Sequence, residues 1–92
     1  MNKKEIYKKL IEKNKEKQLI VAIEELSELQ KEICKSLRGK LNKTNLVEEI
    51  ADVEIMLEQI KLYFDIQQTN INLVKQQKIV RTYKRLLGID NE

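Results

Sequence analysis

Proline is absent from the 92 residues of this chain, and its two glycines, Gly39 and Gly88, fall where long apolar-periodic stretches end. Proline breaks helices and glycine weakens them, so a chain nearly free of both is free to be helical along almost its whole length. Leu, Ile, Lys, Glu and Gln fill most of the remaining positions, and all of them are good or acceptable helix formers. The periodicity predicts four helices. The first covers roughly 3–14, with Ile6, Tyr7, Leu10 and Ile11 on one side and Asn14 as its stop. The second covers roughly 17–38 and carries the stripe Leu19, Ala22, Ile23, Leu26, Leu29, Ile33 and Leu37 up to Gly39, the preferred residue for a left-handed cap. After a polar loop, Asn45 with Glu48 reads as a capping-box-like start to a third helix over roughly 46–63. Asp65 with Gln68 reads as the cap of a fourth, roughly 67–87, whose apolar positions are sparser. The tail Asp90-Asn91-Glu92 is expected to fray. The predicted fold is all-α, one domain over 1–92.

A domain of this size has a marginal core, and comparable domains add a metal, disulfides or a second subunit. Disulfides within the chain are excluded, because Cys34 is the single cysteine. The charged N-terminus, the lack of a leader-like stretch and one reduced thiol give the expectation of a cytoplasmic protein. The longest apolar run, Leu19 to Ile23, is too short to span a bilayer, so no membrane partner is expected. Without histidine, Ser-His-Asp and Cys-His nucleophilic systems and His-ligated zinc are out. With so few glycines there is no phosphate-cradling loop. Carboxylates, lysines, arginines, hydroxyls and tyrosines remain.

The net charge of +3 conceals a segregation: residues 1–17 carry +4, residues 18–58 carry −4 and residues 59–92 carry +3. An acidic centre between basic arms could hold a cation in the middle and anionic groups at the edges. Three solvated helix faces would give the same counts. A nucleic-acid partner is not expected, because the bases are split between the two ends and no DNA- or RNA-reading motif is present.

The acids of the centre are patterned. Glu24-Glu25-Leu26-Ser27-Glu28 is followed, after a gap of 20 residues, by Glu49-Ile50-Ala51-Asp52. Residues three apart share a helix face, so Glu25 with Glu28, and Glu49 with Asp52, form two-carboxylate claws. On the third helix the apolar stripe is Leu46, Ile50, Val53, Met56, Leu57, Ile60 and Phe64. Glu54 and Glu58 fall outside it, as solvated acids should, but Glu49 projects between Met56 and Ile60 and Asp52 lies at the margin. Burying a lone carboxylate is costly unless it is neutralised or paired. A bound cation would neutralise Glu49, and so would a buried Lys or Arg from another helix. The all-oxygen donor set suits a hard divalent ion, Mg²⁺ or Mn²⁺.

The sequence resembles a known family at these residues. EExxE followed by ExxD on successive helices of a small all-α protein is similar to the MazG-like all-α nucleoside triphosphate pyrophosphohydrolases, a superfamily that includes dimeric dUTPases and phosphoribosyl-ATP pyrophosphohydrolases. The similarity takes in Gln18-Leu19, Ala22-Ile23-Glu24-Glu25-Leu26, Leu37-Arg38-Gly39-Lys40 and Asn45-Leu46-Val47-Glu48-Glu49-Ile50-Ala51-Asp52-Val53, and spans roughly residues 15–85. The resemblance implies a four-helix MazG-like bundle completed by oligomerisation, as a homodimer or homotetramer with helices of two subunits building each site. It implies Glu25, Glu28, Glu49 and Asp52 as Mg²⁺ ligands, with Glu24 binding a further ion or orienting water. Lys78-Ile79-Val80-Arg81 looks like the family's K-x-x-R segment, which makes Lys78 and Arg81 the phosphate-binding residues. Many members have a tryptophan or histidine near the base; this chain has neither, and Tyr7, Tyr63, Phe64 and Tyr83 are its only aromatics.

The expected reaction is hydrolysis of a nucleoside or deoxynucleoside triphosphate to the monophosphate and pyrophosphate. The choice of the α–β bond and a role in nucleotide-pool house-cleaning come from the resemblance. Glu24 or Glu28 would position or deprotonate the attacking water. Two other readings use the same residues: a non-catalytic helical oligomerisation module whose acids pair with Lys and Arg, and a family member that senses nucleotides without turning them over.

Overall fold

The computed structural model describes residues 1–89, so the Asp90–Glu92 tail lies outside the described residues. The described residues are all-helical, with no strand. Helix α1 spans Lys3–Lys13, α2 Lys15–Leu37, α3 Lys43–Tyr63 and α4 Gln68–Leu87. No helix among them is long and apolar enough to cross a membrane.

Asparagines start three of the four helices. The Asn2 side chain accepts from the backbone N–H of Glu5 at 2.9 Å and donates to its carboxylate at 3.0 Å, closing a reciprocal box. Asn14 stops α1 as the sequence suggests and also starts α2: its backbone is extended and its Oδ1 accepts from Lys17 N–H at 3.0 Å. That double duty brings the start of α2 to Lys15, earlier than periodicity indicated. Helix α3 also starts early. The expected cap at Asn45 is not used, because Asn42 takes the role and accepts from Asn45 N–H at 3.1 Å. Either asparagine is a competent cap, and the one nearer Gly39 shortens the connection to five residues, 38–42.

The expected Asp65 cap on α4 is absent as well. Gln67 precedes α4 with no side-chain capping bond. Asp65 instead ends α3 in the left-handed conformation, φ +53°, beside Gly39 at +73° and Gly88 at +71°. Ile66 N–H bonds Lys61 C=O at 2.8 Å and Asp65 N–H bonds Leu62 C=O at 3.3 Å. This nested pair of bonds is the Schellman arrangement, and it recurs after α2 and α4. Asp is among the few non-glycine residues that tolerate this backbone.

Helices α2 and α3 form a long hairpin, and α1 lies against both. The core between them is small: Tyr7, Ala22, Val53 and Met56, with Glu32 and Gln59 buried among them. Helix α4 packs far less on the other three, and apart from the half-buried Ile71 its described residues are exposed. The radius of gyration is 16.9 Å, against about 12 Å for a compact domain of this length. Much of the apolar stripe therefore faces outward. Ile23 is 64% exposed and Leu37 83%, while Val47, Ile50 and Leu57 on α3 and Leu73, Ile79 and Leu86 on α4 are also exposed.

Candidate metal centre

The hairpin seam is polar at regular intervals. Gln18, Glu25 and Glu32 recur every seven residues along α2, and Asn45, Asp52 and Gln59 every seven along α3. Seven residues is close to two helical turns, about 10.5 Å of axis, so each set stays on one face. Glu32 and Gln59 are buried, Gln18, Glu25 and Asn45 half-buried, and Asp52 exposed. The hairpin is antiparallel, so Gln18 meets Gln59 at one level while Glu25 meets Asp52 at the next.

At the acid level, Glu25, Glu49 and Asp52 each place a carboxylate oxygen within 4.8 Å of the others. Partial burial is the leading reason the Glu25 carboxyl is held above its ordinary pKa, followed by the charge of Asp52, a shared hydrogen bond with Asp52, and the charges of Glu49 and Glu28. Glu49 is raised in the same way, by burial first and then by Asp52, Glu28, Glu32 and Glu48. Oε2 of Glu49 is buried and has no hydrogen-bond partner. No lysine or arginine forms an ion pair with any of these three acids among the described residues. The fold therefore supplies no base to neutralise Glu49, and its raised pKa favours the protonated form when no cation is bound. Three convergent carboxylates with an orphaned buried oxygen are a donor set that fits a hard divalent ion.

The other anticipated residues stand differently. Glu28 couples electrostatically to Glu25 and Glu49, but its Oε1 accepts from Lys31 Nζ at 3.2 Å, so in this arrangement it is paired beside the cluster. Glu24 is exposed on α2. Lys78 and Arg81 are exposed on α4, which does not join the hairpin.

Two features escaped the sequence reading. Glu32 is buried beside the cluster and paired with Lys35 at 3.2 Å; its seven-residue spacing from Glu25 was the available signal. Glu58, expected to be solvated, is half-buried under α1. It accepts from the Tyr7 hydroxyl at 2.7 Å and from Lys3 Nζ at 3.1 Å. Those two donors hold the Glu58 carboxyl below its ordinary pKa, while burial and then Glu58 push the Tyr7 phenol up to about 12. Glu54 is exposed, as expected.

No family model, curated protein or solved structure matches this chain.

Proposed function

We propose that the protein is a divalent-metal-dependent nucleoside triphosphate pyrophosphohydrolase of the MazG-like kind, working as a homo-oligomer. The observations that carry this reading are the meeting of Glu25, Glu49 and Asp52 and the buried, unpartnered Oε2 of Glu49. Mg²⁺ or Mn²⁺ would be held by those three carboxylates, with Glu28 joining when it releases Lys31. The ion would supply the positive charge that lets a triphosphate approach carboxylates and would make the attacking water more acidic.

The chain's own groups account for the rest. Glu28 or the exposed Glu24 takes the proton as the water oxygen bonds to the α-phosphorus. The α–β bridging bond then breaks, its electron pair stays with pyrophosphate, and the monophosphate is left. Reactions of this kind depend on positioning and charge stabilisation more than on a covalent nucleophile, and this chain has no histidine to activate one. Lys78 and Arg81 steady the β and γ phosphates from α4. Because α4 hardly packs on the hairpin of its own chain, this role is assigned to α4 of a second copy. The outward-facing apolar residues of α2, α3 and α4 support such an assembly, since a symmetric interface would bury them.

The test is pyrophosphate release from a panel of nucleoside and deoxynucleoside triphosphates in Mg²⁺ or Mn²⁺, with and without chelator. Chelator-sensitive release is expected, and no release from any of them overturns the reading. The same exposed apolar surface favours a second reading, a non-catalytic oligomerisation module. That module would melt at the same temperature with or without divalent metal.

A further inference from the structure

We propose that Lys31 exchanges partners when substrate binds: it holds Glu28 before the ion arrives, and takes a phosphate of the substrate once the ion has claimed Glu28. This rests on the triphosphate reading of the carboxylate cluster. Among the described residues Lys31 is the one base paired with an anticipated metal ligand. Its Nζ donates to Glu28 Oε1 at 3.2 Å, whereas Lys3 and Lys35 serve Glu58 and Glu32. Glu28 is close enough to the cluster for its charge to act on Glu25 and Glu49. The pair is also open to solvent. The Lys31 side chain is 67% exposed and that of Glu28 50%, and Asp52 of the cluster is exposed as well. A ligand can therefore approach this edge of the hairpin with no helix moving.

Distance makes the exchange possible. Mg²⁺ bonds its oxygens at about 2.1 Å, so an ion on Glu28 Oε1 lies no more than about 5 Å from the present Nζ position. A phosphate oxygen on the same ion comes within reach of the ammonium after a small turn of its flexible four-carbon stem. Charge makes the exchange useful. Glu25, Glu28, Glu49 and Asp52 carry more negative charge than one divalent ion offsets, so phosphates arriving there need a cation on the same side. Lysine suits the part, because its ammonium is a mobile point charge that binds phosphate without fixed geometry. Lys35 is no substitute. It answers Glu32, whose side chain is only 10% exposed, and its departure would strand a buried carboxylate. Lys78 and Arg81 reach the phosphates from a second copy, and Lys31 adds the contact made within the chain.

An exposed i, i+3 ion pair of little consequence is the competing reading. Lys31→Gln separates the two, because it removes the ammonium and leaves Glu28 unpaired. Kd for Mg²⁺ without nucleotide should be unchanged or lower in the variant. KM for the Mg²⁺-triphosphate should rise about tenfold or more, as for a lost charge-assisted hydrogen bond, with kcat within a few-fold. A pair with no role beyond the surface would move none of these. An unchanged KM, or a loss of Mg²⁺ affinity, in Lys31→Gln overturns the inference and leaves the hydrolase reading standing. If wild type releases no pyrophosphate, the hydrolase reading fails by itself. Calorimetric binding of inorganic tripolyphosphate in Mg²⁺ then decides this inference: affinity weakened in Lys31→Gln by about tenfold or more upholds it, and equal or absent binding overturns it.

Discussion

Glu49 and Glu58 sit nine residues apart on α3, and the fold treats them in opposite ways. Glu58 is met by a phenol and an ammonium from α1, and its carboxyl is held low. Glu49 is met by other carboxylates, keeps one buried oxygen without a partner, and is held high. The first site is closed electrostatically within the chain. The second gathers like charge that no lysine or arginine among the described residues pairs with. The two acids are thus told apart by their partners, since burial is partial for both.

Replacing each acid by its neutral amide gives the sharpest contrast. Glu49→Gln should lower metal-dependent pyrophosphate release by about 100-fold or more, because it removes a ligand charge where even outer-shell changes give 10–100-fold. Glu58→Gln should leave turnover within a few-fold. Glu49→Gln retaining near wild-type turnover would remove Glu49 from the metal set.

Metal addition should act on one site only. Mg²⁺ at one hundred times its Kd should stabilise wild type by about 2.7 kcal/mol through mass action, read as a rise in melting temperature. Glu58→Gln should keep that rise and Glu49→Gln should lose it. An equal rise in both would place the ion elsewhere.

Without metal the order of stabilities should invert. Glu49→Gln relieves repulsion and should melt at or above the wild-type temperature. Tyr7→Phe, which takes the phenol from Glu58, should destabilise by about 1 kcal/mol. A marked drop for Glu49→Gln would point to a structural ion pair there.

The smallest effect is the pH response in chelator. Above the ordinary carboxylate value of 4.5 and up to their raised pKa values, Glu25 and Glu49 hold more proton in the folded chain than in the unfolded. Their contribution to stability therefore falls as pH rises through that window. Glu58 acts oppositely: its contribution is present above 4.5 and is lost as pH falls through its lowered value. Urea midpoints across the acid range should show both limbs, and Glu49→Gln should flatten only the upper one.

The helices were legible because their causes are local. Apolar periodicity, Gly39, Gly88 and Asn14 act within a turn or two of chain, and four helices follow from them. The starts were less legible where two asparagines competed, as at Asn42 and Asn45, or where Asp65 could serve either the end of α3 or the start of α4. The acid claws were legible for the same local reason, since i, i+3 spacing fixes a shared face in any helix.

Which acids meet across helices was decided at long range. The hairpin register sets Glu25 against Asp52 and Glu49, while Lys31, on the same helix as Glu28, draws Glu28 aside. The docking of α1 turned Glu58 from an expected surface acid into a paired one and brought Ile11 to the same small space as Gln59. Sequence by itself determined where helices run and which side chains share each face, because backbone hydrogen bonding and side-chain spacing are settled within a few residues. Only the tertiary structure decided which charges are answered and which are left open, because electrostatic partnership depends on distances between residues far apart in the chain.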